Sequence, residues 1–528
     1  MIELLNVRMT LDETEEIVKQ RVYKRLRLLD SDVVFFQYAK KSIDARDKND
    51  IYFNCNFFIK IKGDETSFLG LPNVLIISDS FVSETLPSGS VKMPRPVIVG
   101  AGPAGLFAAL TLAKMGAKPL LIERGSAVDK RELDIANFYK NGILNPDSNI
   151  QFGEGGAGTY SDGKLMSGKN TDLVHILMNE FVEVGAPAEI KYTAKPHLGT
   201  DNLLHIVKNL REKIIALGGK VRFETKFVGF TAPGGKLQSI TVEHLGKTET
   251  IACENVLLAL GHSARDTFEM LYEKKLTIEQ KPFSMGVRIE HFQEDVNKTQ
   301  YGKYFAHPAL KAADYKLAVH LPSGRGVYTF CMCPGGSVIS SSSELGGVVT
   351  NGMSKFARDS KFANSAILVN VDPVDFPSTH PLAGMEMQRT YERKTYEVSK
   401  SYAAVVQTVR DFLSDVPTKK LIRETANQVG IFPDEVKKCL PDFVVKSLRD
   451  ALPEFEKHFK GFTDKAALLY AVETRSSSPV RLVRGDDLQA VGFSGIYPCG
   501  EGSGYSGGIT TSAIDGITAA QALLAKYR

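Results

Sequence analysis

The chain has 528 residues, 43% of them hydrophobic and 24% charged, with a net charge of +4. That length exceeds what a single core serves and predicts two or three domains; the composition is that of an ordinary globular protein, and so small a net charge makes no case for a nucleic-acid partner. Six cysteines at irregular spacing give no disulfide framework, no apolar run approaches the roughly 20 residues of a membrane span, and the polar start Met1-Ile-Glu-Leu-Leu-Asn-Val7 is no signal peptide, so a cytoplasmic location without membrane partners is expected.

Residues 1–93 read as a small α+β module. Helical periodicity with mixed charge runs from Thr10 to Leu29, and residues 32–38 and 51–61 are strand-like. The linker Leu86-Pro-Ser-Gly-Ser-Val-Lys-Met-Pro-Arg-Pro96 closes it. Lys19, Arg21, Lys24, Arg25, Arg27, Lys40, Lys41 and Arg46 leave two readings open: a solvated docking face, or recruitment of a macromolecule such as RNA.

Residues 94–270 open on Pro96-Val-Ile-Val-Gly-Ala-Gly-Pro-Ala-Gly-Leu106. A short β-branched strand runs into Gly100, Gly102 and Gly105 at G-x-G-x-x-G spacing, with Ala104 at the start of a helix. The first glycine permits the turn, the second lets backbone approach a pyrophosphate, and the third lets helix pack on strand. Gly116 closes the helix, residues 118–122 form the next strand, and Glu123, followed by Arg124, stands 23 residues after Gly100, where a carboxylate accepts a ribose diol. A second cluster, Gly153-Glu-Gly-Gly-Ala-Gly158, offers the amides of Gly155, Gly156 and Gly158 to phosphate or to a flavin edge. Lys164 in the polar run that follows is a counter-charge for substrate or reduced cofactor, or a surface lysine. Thr200 or Asp201 caps a helix that stops at Gly218-Gly219. A strand and a meander then lead to a second glycine-ended strand at Gly261, with His262 and Arg265 behind it. His262 is placed for proton transfer near neutral pH or for a structural hydrogen bond.

Residues 271–480 interrupt this fold as a cap or substrate domain. Cys331-Met-Cys333 lies in a strand-like stretch, so both thiols are expected on one face, as core packing or a substrate-facing thiol; no matching pair completes a metal site. Arg475 and Arg481 flank Ser476-Ser-Ser-Pro479, placed either to stabilise negative charge at a cofactor or to dock the domains. Residues 481–528 return to the first fold, where a strand ends at Gly500-Glu501 and Gly507-Gly508 opens the last helix at Ile509.

These segments together resemble the glutathione-reductase-like FAD superfamily, which grips its cofactor from both ends of the chain. Within it the chain is similar to a bacterial group of poorly characterised FAD-dependent dehydrogenases, through Lys41–Arg46, Gln151–Leu165, Gly261–Asp266 and Glu473–Arg481. The resemblance implies a Rossmann-type α/β FAD domain with an inserted α+β cap. It places Glu501 where the superfamily has an Asp near the flavin ribityl chain, one methylene longer here. The expected function is hydride transfer between FAD and a small molecule, with His262, Arg475 and Lys164 as catalytic candidates. An NAD(P)H-driven reductase of a C=C or C=N bond is the runner-up. A second G-x-G-x-x-G with strand and helix context is missing, so NAD(P)H, where used, binds transiently; the electron partner and oligomeric state stay open.

Overall fold

The computed structural model describes residues 1–79, 83–166, 168, 171–421 and 423–527. The first residues, Ile2–Thr10, form an interior strand of a four-stranded sheet, beside Tyr52–Ile61 and Val74–Ile76, with Val33–Asp44 at the edge. Tyr52–Ile61 alternates buried and half-buried side chains, the period of a strand with one face on a core. The helix Glu15–Leu26 covers that face through Val18 and Val22; Thr14 caps it, acids sit in its first turn and bases in its last. The module is not a detached bead. Its core runs unbroken into that of the cap, and Lys41 exchanges backbone hydrogen bonds with Tyr192 (2.7 Å) and Ala194 (3.0 Å) of the next domain. Several of its bases meet acids, among them Arg21 with Glu13 and Arg46 with Asp44.

The second unit is a five-stranded parallel sheet in the order Ile496–Pro498, Val256–Leu258, Val97–Val99, Leu120–Ile122, Lys220–Arg222. Such a sheet is stable only with both faces covered. Ile98 packs toward the helices Pro103–Lys114, Gly199–Ala216 and Ile509–Ala525. Val97 and Val99 pack toward a three-stranded meander of Thr225–Thr231, Ser239–His244 and Lys247–Ala252. The C-terminal strand and helix thus complete a domain begun 400 residues earlier.

The chain leaves and re-enters this domain through a two-stranded ribbon, Ile278–Gln280 paired with Val480–Leu482. Between them lies a seven-stranded cap sheet, centred on Phe283–Phe292 and flanked by Phe362–Val371 and Leu468–Glu473. The helices Ala383–Ser399 and Asp442–His458 bury their apolar sides in the cap.

One local expectation is corrected, and one strand is less regular than expected. The helix expected to be capped by Thr200 or Asp201 begins at Gly199, and neither side chain caps it. Thr200 instead donates to Ser161 O (2.8 Å) and Asp201 accepts from the Phe356 amide of the cap (2.8 Å), because partners outside the helix outcompete the local turn. The strand Gly326–Cys333 carries a bulge: Phe330 faces Ala366 and Cys333 faces Asn364, so three steps oppose two. The extra residue interrupts the strict alternation of the strand, yet Cys333 Sγ still lies 3.3 Å from Cys331 O. Cys331, at φ +45°, is left half-buried while Cys333 is fully buried.

Candidate active site

A cavity of about 400 Å³ lies between the parallel-sheet domain and the cap. Of the residues singled out in the sequence, it is lined by Gly100, Gly102, Ala104, Glu123, Arg124, Gly156 and Gly158 at one end. Gly261, Gly500, Glu501, Gly508 and Ile509 line it further along, with His262, Lys164 and Arg475. Gly105 and Gly155 stand behind the wall. A Cβ on Gly105 would come within 1.8 Å of Gly100 O, and one on Gly155 within 1.9 Å of Thr159 Oγ1.

Glu123 joins the two glycine loops. One carboxylate oxygen accepts from the Ala101 amide (2.8 Å), the other from Gly125 and Gly153 (both 2.9 Å). The first oxygen therefore keeps a lone pair for a further donor. Arg124 pairs with Asp147 (2.6 Å) and Asp266 (3.0 Å) and lies 4.2 Å over the Phe152 ring. The second loop is pinned from beneath by Arg131, a fully buried guanidinium donating to the carbonyls of Asn149, Ile150, Glu154 and Gly156 at 2.6 to 3.0 Å. Nothing in the sequence marked Arg131, whose helix reads as an ordinary amphipathic one. Asp515 was missed too, although a carboxylate between Ile514 and Gly516 in an apolar helix is a signal. It accepts from the Gly500 amide (2.7 Å) and takes a bidentate Arg484 (2.7 and 3.0 Å), fixing the turn before Glu501.

At the cap end His262 Nδ1 lies 3.1 Å from Glu501 Oε1, while its Nε2 is buried with no hydrogen-bond partner among the described residues. Lys164 Nζ is 3.0 Å from Asp162 and also contacts Met332 O. Burial pulls the Lys164 ammonium down, but Asp162 and the Cys331 and Cys333 sulfurs outweigh it and hold it above its ordinary value. Burial likewise pushes the Asp162 carboxyl up, and Lys164 and Arg358 reverse that, keeping it well below the carboxylate range. Arg475 donates from Nε and Nη2, one edge of its guanidinium, to the two oxygens of Glu392 (3.0 and 2.8 Å) and also meets Ser263 (3.0 Å) and Ser343. Glu392 takes Arg265 of the sheet domain on the same two oxygens (2.8 Å each). The ion pair of Arg475 thus lies within the cap, its hydrogen bond to Ser263 reaches the sheet domain, and its residue also lines the cavity. Among the described residues no group of three or more His, Cys, Asp and Glu is set to hold a metal, and no helix is long and apolar enough to cross a membrane.

Comparison with known proteins fits this geometry. The family described as "pyridine nucleotide-disulphide oxidoreductase" matches residues 94–282, and "FAD-dependent protein, C-terminal domain-like" matches 282–476. A protein of Clostridium beijerinckii, described only as uncharacterized, is 45% identical over 534 residues, spanning 100% of this chain and 99% of its own. The chain belongs to an FAD-dependent oxidoreductase family. The seam between the two matched segments falls at the ribbon where the cap departs. Residues 1–59 match a domain of unknown function. Among solved structures, a flavin-dependent brominase is 11% identical, covering 82% of this chain and 81% of its own at a TM-score of 0.36. A geranylgeranyl bacteriochlorophyll reductase-like protein of Thermoplasma acidophilum is 12% identical, covering 82% and 78% at 0.35.

The residues present fit FAD. A Cβ on Gly102 would meet only Gly156 Cα, at 3.9 Å, and a Cβ on Gly261, Gly507 or Gly508 would meet nothing within 4 Å. These glycines are spared by the protein's own packing and border the cavity, which is what a cradle for a nucleotide backbone requires. The helix Ile509–Ala525, tied to the Lys164 loop by Thr510 Oγ1 on Leu165 O (2.8 Å), starts on the same cavity.

Proposed function

We propose that this FAD-dependent oxidoreductase is a dehydrogenase acting on a small molecule bound at the cap end of the cavity. The observation that carries the reading is the continuity of that cavity, from the G-x-G-x-x-G turn and Glu123 to the polar wall formed by Lys164 of the sheet domain with Glu473 and Arg475 of the cap. FAD, when bound, supplies the hydride acceptor or donor. The chain's own part is to hold it at the two glycine loops and to handle the proton. His262 Nε2 is the group free to take or give one, and Glu501 on Nδ1 fixes the ring. Lys164, anchored by Asp162, presents a fixed positive charge to a polar substrate group or to the reduced cofactor. The buried Arg265–Glu392–Arg475 cluster keeps the cap seated, which excludes water from the cleft.

NAD(P)H enters this reading as a transient electron donor or acceptor, since the chain has one dinucleotide turn and the cavity is the place for a second nucleotide to meet the first. The test is anaerobic titration of the FAD-loaded protein with NADH, NADPH and fractionated metabolites, followed by bleaching of the flavin absorption. Bleaching by one metabolite fraction supports the dehydrogenase reading. Bleaching by NAD(P)H alone, with recovery on adding an unsaturated acceptor, replaces it with the reductase reading.

A further inference from the structure

One part of the cavity is unused by this account. Cys331 sits on the wall where the bulge in Gly326–Cys333 turns it out of the strand, at a φ of +45° that non-glycine residues rarely adopt. Its backbone is held from three sides. Arg288 Nη1 and Cys333 Sγ each donate to Cys331 O at 3.3 Å, and Lys164 Nζ rests on the next carbonyl, Met332 O. Arg288 cannot swing away, being fully buried and pinned by Glu473 (3.0 and 3.2 Å) and Asn364 (2.6 Å). Two cations and one buried thiol therefore fix the backbone of a second cysteine, and that residue lines the cavity.

The charges decide the state of that thiol. The Cys333 S–H is a single rotatable donor, and turned from Cys331 O to the Cys331 sulfur it lowers Cys331 most; burial opposes it; Lys164 and Arg288 lower it further, and Asp162 opposes, the balance falling at about 5. Glu473 also stands close enough to feel the Cys331 charge. Cys333 moves the other way, well above its ordinary value, and keeps the proton. One sulfur is the nucleophile and the other its donor. Beside Cys331, Phe330 and Met166 present apolar surface to the same cavity, 39% and 56% exposed, where a carbon skeleton can rest.

We propose that the cavity is also a covalent site, with Cys331 as its nucleophile and a soft carbon electrophile, an α,β-unsaturated carbonyl compound, as the ligand class. This rests on the reading that the cap end of the cavity takes the small molecule. In the step, Cys331 Sγ bonds to the β-carbon and the C=C π pair moves toward the α-carbon and carbonyl oxygen. The α-carbon takes a proton from the Lys164 ammonium, which regains one from solvent. One S–C bond forms, one π bond is lost, and no electrons enter or leave, so the step needs no oxidant and runs in reverse by the same route.

The test treats the FAD-loaded protein with limiting N-ethylmaleimide, itself such a compound, and follows adducts by peptide mass spectrometry from pH 6 to pH 8. An ordinary thiol gains about tenfold in rate per pH unit below its pKa. Cys331 is expected to label first and to change less than about twofold across that range. Cys333→Ala and Lys164→Met restore a steep rise, whereas Cys333→Ser, which keeps an O–H donor, stays nearly flat. A wild-type Cys331 that stays unlabelled while flavin is bound, or that labels with the slope of an ordinary thiol, overturns the proposal. Flavin absorbance recorded on the same samples keeps the two readings apart, since protein without FAD counts against the dehydrogenase and leaves the labelling profile to judge Cys331.

Discussion

His262 and Glu501 lie 239 residues apart in the chain and 3.1 Å apart in the fold, joined through His262 Nδ1. Each follows a glycine-ended parallel strand, Val256–Leu258 and Ile496–Pro498, and those strands are direct neighbours in the sheet. The pairing is therefore a product of topology: two loops leaving the carboxyl ends of adjacent strands meet over the cavity. The superfamily resemblance put a carboxylate near the ribityl chain at position 501. In this structure the added methylene of Glu lets it reach a histidine.

That relationship predicts how two variants differ. His262→Gln should keep FAD and lower the rate of flavin reduction by about 10²- to 10⁴-fold, the usual worth of a positioned acid or base. Glu501→Gln should lower it less, because the imidazole remains but loses its orienting charge. Stopped-flow reduction alongside the ratio of flavin to protein absorbance checks both. A Glu501→Gln protein purified without FAD would make Glu501 a cofactor ligand instead of an orienting partner.

Two glycines of one motif should fail in opposite ways. Gly102 has φ −76° and open space at its Cβ direction, so Gly102→Ala leaves the fold within about 0.5 kcal/mol of wild type and loses FAD. Gly105→Ala drives a methyl into Gly100 O, 1.8 Å away, and should cost about 1–3 kcal/mol of fold stability even without cofactor. Urea unfolding of the cofactor-free proteins and FAD titration by fluorescence separate the outcomes. Equal instability in both would refute the assignment of separate duties.

What the sequence made legible was what local rules govern. The glycine turn with Glu123, the glycine-ended strands and the last helix start are each set by a few adjacent residues, and all arrive at one cavity. What it hid depends on distant partners. Arg131 looks like any exposed arginine on an amphipathic helix, until a loop some twenty residues later folds four carbonyls around it. Glu392 sits on the charge-rich helix Ala383–Ser399, yet it is buried between two guanidiniums. The bulge at Cys331 follows from pairing with Phe362–Val371, which no pattern within Gly326–Cys333 announces.

Glu392 gives a prediction with a defined pH sense. Burial raises its carboxyl, but Arg265 and Arg475 overcome that and hold it well below its ordinary value in the folded state. A carboxyl depressed by folding stabilises the fold fully above its unfolded pKa of about 4.3 and loses that contribution as pH falls toward the folded value. Stability should therefore decline below about pH 4.3. Glu392→Gln should cost about 3–5 kcal/mol at pH 7, since it leaves buried Arg475 without its counter-charge and Arg265 with Glu344 alone, and should flatten the acid limb. Urea midpoints from pH 3 to pH 7 check both; a variant as stable as wild type at pH 7 would show the cluster to be well hydrated.

The last helix sets a prediction about redox poise. Ile509–Ala525 begins at the cavity with no acidic residue in its first turn, and Gly507 and Gly508 bring no side chain between its free amides and the cofactor space. A helix start favours negative charge by about 0.3–1 kcal/mol when exposed and up to about 2 when partly buried. Reduced FAD carries more negative charge than oxidised FAD, so this helix should raise the flavin potential. Gly508 sits at φ +149°, where a side chain is strained, so the charge is better introduced one residue earlier. Gly507 has no such restriction and open space around it. Gly507→Asp should lower the two-electron midpoint by roughly 10–40 mV, at about 30 mV per 1.4 kcal/mol, while Gly507→Asn leaves it near wild type. Potentials are read by dye equilibration on protein with full FAD content. Equal potentials in the Asp and Asn variants would mean that the helix start permits the turn and does nothing to the flavin.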